Sequence, residues 1–149
     1  MLLTKSICTS IGYSNSLSFR SMLSIQEILC VMISGAIGVL ARYLISIWAV
    51  SKIGTGFPYG TFIVNIAGCF IMGVFMVLST ERFIASPYAK LIVGVGFLGG
   101  LTTFGSFSYE TLYLFQNGQI LKAGLNLFGN VGIGLFATLA GAALTRLAF

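Results

Sequence analysis

The chain has 149 residues, of which 57% are hydrophobic and 7% charged, with a formal net charge of +5. A soluble domain usually carries roughly 25% charged residues, so this chain is too poor in charge to cover its own surface in water, and its apolar excess must face lipid or a very large partner. Its eight basic residues are scattered rather than clustered, which argues against nucleic acid as a partner, and the lack of histidine excludes a histidine-based triad and, with only three carboxylates, a zinc site.

Residues 1–21 differ from the rest: they hold six serines, Lys5 and Arg20, and no acid. This composition fits a transit peptide. It fits equally a start assigned too far upstream, since Met22 opens a compact hydrophobic protein. We prefer the second reading and read the fold from residues 22–149, as one transmembrane domain.

The spacing of charges locates the membrane spans. No charged residue lies between Ile53 and Thr80, between Leu91 and Tyr109, or between Ala123 and Thr145, and a spanning helix needs about 20 apolar residues. A further apolar stretch is broken only by Arg42. The spacing predicts four transmembrane helices, over about Ile25–Ala49, Gly60–Leu78, Lys90–Leu112 and Ile120–Leu147, joined by the loops Ser51–Tyr59 and Ser79–Ala89 and a short turn at Gln116–Gly118. Cys30 and Cys69 fall within spans as small apolar filler. Cys8 lies in the N-terminal segment, and no C-x-x-C pair occurs.

The third segment is the unusual one. Gly94, Gly96, Gly99, Gly100 and Gly105 fall within twelve residues, and each costs up to about 1 kcal/mol against alanine in a helix. A break is expected here, and broken backbone within a membrane must line a cavity or be buried in protein. Its free carbonyls would suit a cation. The other reading is close helix packing through small residues. Gly94–Gly99 also fits G-x-G-x-x-G, but without a strand before it the match carries no dinucleotide site.

Polar residues at depth need partners. Asn65 lies in the middle of the second segment, as an interhelical hydrogen bond or as a pore-lining donor. Asn126 and Asn130, four apart, share one face of the fourth helix, as a polar track or as glue between helices. Phe104 and Phe107 share a face among Thr102, Thr103, Ser106 and Ser108. They either pack or offer electropositive ring edges to an anion. Arg42 is a functional candidate by its depth, unless it snorkels toward a helix end. No pairing of nucleophile and base is visible, so no enzyme is expected.

Three motifs, in order along the chain, resemble the fluoride channel family called Fluc or CrcB. Gly35–Tyr43 is similar to its G-x-x-G-x-x-x-R-Y start, Gly60–Gly68 to its G-T-x-x-V-N-x-x-G helix, and Gly96–Phe104 with Phe107 to its G-x-x-G-G-L-T-T-F-x-x-F segment. The resemblance implies a passive fluoride channel that relieves fluoride toxicity, built as an antiparallel, dual-topology homodimer with two pores in a bacterial-type cell membrane. It also implies a central sodium ion held by the carbonyls of Gly99 and Thr102. Phe104 and Phe107 would be the ring-edge contacts, with Asn65, Thr103, Ser106, Asn126 and Asn130 along the pore and Glu110 near one mouth. Gly105 replaces the hydroxyl residue the family often has after its first Phe, and residues 1–21 are unlike the family. The alternatives are a small dual-topology multidrug exporter, which would want a carboxylate within a span, and a structural subunit of a membrane complex.

Charge placement predicts topology. Four spans put both termini and the Ser79–Ala89 loop on one side. Counted from Met22, that side holds Arg82, Lys90 and Arg146, against Lys52 and Lys122 on the other, with Arg42 unassigned. So weak a bias lets a chain insert both ways. Counting Lys5 and Arg20 as well would favour one orientation.

Overall fold

The computed structural model describes residues 24–82 and 86–148, and the N-terminal segment, with the start expected at Met22, lies outside them. Among the described residues every regular element is helical, and four helices are long and apolar enough to cross a membrane: α1 (Ile25–Ile53), α2 (Tyr59–Glu81), a third span over Pro87–Gln116, and α5 (Ile120–Ala148). The third span is two helices, α3 (residues 87–101) and α4 (Phe104–Gln116), separated at Thr102–Thr103. With four such helices and outward faces rich in exposed Leu, Ile, Val and Phe, the chain is a multi-pass membrane protein.

The helices run longer than the charge spacing predicts. α1 continues past Ala49 to Ile53, where Gly54 turns at φ 100° and its N–H donates to the Ala49 and Val50 carbonyls. α2 continues past Leu78 in a wider π turn, Leu78–Arg82, so the polar loop is shorter than expected. The third span reaches from Pro87 to Gln116. Serine, lysine and glutamate are compatible with a helix that has left the apolar layer, so charge marks the membrane edge and not the helix end.

The break falls beyond most of the glycines that suggested it. Gly94, Gly96, Gly99 and Gly100 are all helical, and π winding covers Lys90–Leu98. Gly96 and Gly100 let α3 lie directly on α1. A methyl group on Gly96 would strike Ser34 Oγ, one on Gly100 the Gly35 carbonyl, and one on Gly38 the Phe97 carbonyl. α2 meets the latter half of α5 in the same way, through Gly73 against Thr138 and Gly141 against Phe70. Without a hydrophobic drive between helices in lipid, such close backbone contact is the main source of association. Between these crossings Val64, Leu98 and Leu101 form a small core, against which Ala41, Ile45, Met72, Val93 and Phe97 pack.

Candidate functional site

At the break Thr102 (φ −80°, ψ 154°) and Thr103 (φ −149°, ψ 119°) are extended. Asn65 of α2 pairs with both backbone groups of Thr103: the Thr103 N–H donates to Asn65 Oδ1 at 2.8 Å, and Asn65 Nδ2 donates to the Thr103 carbonyl at 3.1 Å. The amide thus stands in for a neighbouring strand beside one extended residue, and satisfies backbone that lipid could not. Thr103 also starts α4, because its Oγ1 accepts from the Ser106 N–H at 3.2 Å, an N-cap bond. The two hydroxyls, Thr103 Oγ1 and Ser106 Oγ, lie 3.1 Å apart.

From the break an amide relay runs along α5. Asn65 Nδ2 donates to Asn130 Oδ1 at 2.9 Å, Asn130 Nδ2 to Asn126 Oδ1 at 2.9 Å, and Asn126 Nδ2 to Thr111 Oγ1 at 2.8 Å. Thr111 Oγ1 then donates to the Phe107 carbonyl at 2.7 Å. Asn126 is fully buried. An asparagine side chain has two N–H donors, and both of those on Asn65 are engaged within the chain. The structure therefore brings together Asn65, Thr103, Ser106, Asn126 and Asn130, and joins Asn65 to α5 by the interhelical bond that was one of its two readings.

Phe104 and Phe107 stand edge to face, with ring centroids 5.3 Å apart and 63° between planes. They are otherwise unlike: Phe107 is 4% exposed and Phe104 76%. In an edge-to-face pair one ring's hydrogens meet the other's face, and the second ring's edge stays available. Both rings, with Asn65, Thr102, Thr103 and Asn130, line a cavity of about 390 Å³ that opens at the protein surface.

Glu110 sits toward one end of the bundle. Thr61 Oγ1 donates to its Oε1 at 2.7 Å, while Oε2 is buried and without a partner among the described residues. A second cavity, of about 490 Å³, lies there between Glu110, Tyr109, Tyr113, Gln119 and Lys122. Arg42 is half-buried on α1 and lines neither cavity. The sequence reading missed Thr61 and Thr111. Thr111 lies one turn after Phe107, and Thr61 one turn before Asn65, a spacing that could have signalled both.

Among the described residues there is no group of three or more His, Cys, Asp or Glu able to hold a metal. A cation could be held here only by neutral oxygens, and the break supplies them. Gly99 and Thr102 carry carbonyls at the point where the helical ladder ends, with the Thr102 N–H donating to Leu98 O at 3.0 Å. Carbonyl oxygens suit a hard cation, but two donors do not fill its shell, so the donor set fits sodium if a second chain contributes its own.

The fold and this seam define a helical membrane protein with a neutral, hydrogen-bonded network in its interior. Residues 29–142 match the family described as CrcB-like protein, Camphor Resistance (CrcB), and the chain belongs to that family. Among its relatives, a protein of Shewanella sp. (strain ANA-3) is 47% identical over 116 residues, covering 78% of this chain and 93% of the relative. One from Rhizobium etli (strain ATCC 51251 / DSM 11541 / JCM 21823 / NBRC 15573 / CFN 42) is 42% identical over 120 residues, covering 80% and 96%. A third, from Geotalea daltonii (strain DSM 22248 / JCM 15807 / FRC-32), is 43% identical over 121 residues, covering 81% and 98%. Each of these relatives is named Fluoride-specific ion channel FluC.

Proposed function

We propose that this protein is a fluoride-selective channel that lets fluoride cross the membrane passively, and that it is not an enzyme. The observation that carries the reading is the seam of amides, hydroxyls and aromatic edges inside a lipid-facing bundle, in a chain of the CrcB family. Fluoride is small and strongly hydrated, so a dry path must replace its water with donors. Neutral donors can do so without trapping the ion, whereas a fixed cation would hold it too tightly to leave. In this reading Phe104, Phe107, Thr103, Ser106, Asn126 and Asn130 border the path with Asn65, and Glu110 stands at one mouth.

The functional unit is read as an antiparallel homodimer. One chain leaves its cavity open beside Phe104, which is exposed, and a path through lipid needs a wall there. A second copy would close it and supply the remaining carbonyls for a sodium ion at Gly99 and Thr102. When bound, that ion supplies a fixed positive charge that ties the two breaks together. Over residues 22–149, dual topology is supported by the balance of basic residues, Arg82, Lys90 and Arg146 against Lys52 and Lys122, which Lys5 and Arg20 would tip if retained. The membrane is read as a bacterial-type cell membrane.

The test is release from liposomes holding the purified protein. Fluoride should leave at a rate proportional to the protein added, and chloride should stay behind. Equal loss of chloride, or no loss of fluoride, would contradict the reading.

A further inference from the structure

In an unbroken helix each N–H donates to the carbonyl four residues back. The Thr103 N–H would then reach the Gly99 carbonyl, and the Ser106 N–H the Thr102 carbonyl. Both donors are diverted here, the first to Asn65 Oδ1 and the second to Thr103 Oγ1. A helix end frees several carbonyls, and the Gly99 and Thr102 carbonyls, which the cation reading places around sodium, are the ones whose helical donors are bound to other partners.

Resting on that reading, we infer that Asn65 and the Thr103 hydroxyl are positioning residues of the sodium site: they take up the backbone donors that would otherwise close the helix onto the Gly99 and Thr102 carbonyls. Helix α2 is shaped for the task. Asn65 and Gly68 lie three apart on one face, Asn65 holding Thr103 while a methyl group on Gly68 would strike Thr102 Cγ2. The Thr102 hydroxyl turns the other way and donates to Leu98 O at 3.0 Å, beside the Thr102 N–H bond to the same oxygen. The ladder therefore stops at Leu98, and the next carbonyls are released. Both N–H groups of Asn65 are in use here, one on Thr103 and one on Asn130.

The experiment measures the melting temperature of the detergent-purified full chain as Na⁺ replaces N-methylglucamine at constant ionic strength. The wild type should melt higher as Na⁺ rises, and the half-saturating concentration is the readout. Thr103→Val keeps the shape and removes the hydroxyl, and loss of one such hydrogen bond should raise half-saturation about tenfold. Asn65→Leu should do the same, while Thr103→Ser, which keeps the hydroxyl, should match the wild type. An unchanged half-saturation in Thr103→Val would overturn the inference while leaving the cation reading in place. A wild type indifferent to Na⁺ would overturn the cation reading itself. A Thr103→Val protein that is unfolded at every Na⁺ concentration would also count against the inference, because a positioning role leaves the site recoverable at high Na⁺.

Discussion

The two halves of the third span are held by different forces. α3 is fixed by contact: its glycines bring it against the α1 backbone, and Leu98 and Leu101 are buried in the core. α4 begins with a hydroxyl cap, carries the exposed Phe104, Ser106 and Tyr109, and meets α5 through the Thr111–Asn126 bond. The contrast teaches that glycine density in a membrane helix reports close packing, whereas the break follows from where side chains compete for backbone donors. Thr103 leaves the helix because Asn65 and the cap serve its backbone and that of Ser106, not because glycine weakens the chain there.

The contrast can be broken most severely where α1 meets α3. Gly38→Ala forces a methyl group into the Phe97 carbonyl and against the Leu101 N–H, backbone that cannot move aside, and should cost about 3 kcal/mol of stability in denaturant titrations in micelles. Gly105→Ala, on α4 with nothing within 4 Å of the added carbon, should be neutral or stabilising by up to about 1 kcal/mol. Equal losses would erase the distinction between the two halves.

On the polar side, Asn130→Leu leaves an Asn65 N–H and the Asn126 carbonyl oxygen of the side chain unpaired. The expected loss is about 2 kcal/mol, read by the same titration, and a variant as stable as the wild type would show that the relay bears no weight. A smaller effect is expected from Phe104→Ile or Phe107→Ile, which keep apolar bulk and remove a ring edge. A ring contact is worth about 0.5–1.5 kcal/mol, so fluoride flux should fall by up to about tenfold with assembly intact, and unchanged flux in both would return the pair to packing. The least is expected from Arg146→Ala. Its 2.6 Å pair with Glu81 is exposed on both sides, and such pairs contribute little, so the melting temperature should not measurably change.

The spans were legible because three long uncharged stretches leave lipid as the one environment that suits them. Helix ends were less so, since Ser51, Lys52 and Glu81 remain helical past the apolar layer. The glycines of the third span pointed to a break but report close packing on α1, and the break itself was not locally readable, because it depends on Asn65, 38 residues away in the chain. The shared face of Asn126 and Asn130 followed from their spacing. Their common partner network did not, since which amide of α5 meets Asn65 is set by the crossing of α2 and α5 through Gly73 and Gly141. Glu110 was placed near a mouth by resemblance, and its bond to Thr61 joins the start of α2 to α4, a contact no local pattern encodes.

The most direct test of the account is a current recorded across a planar bilayer containing the purified protein, with fluoride and chloride on both sides in opposed gradients and Na⁺ equal on both. A path of neutral donors suited to the small anion predicts a current that reverses near the fluoride equilibrium potential. A reversal at the chloride potential, or no current at any voltage, would contradict it.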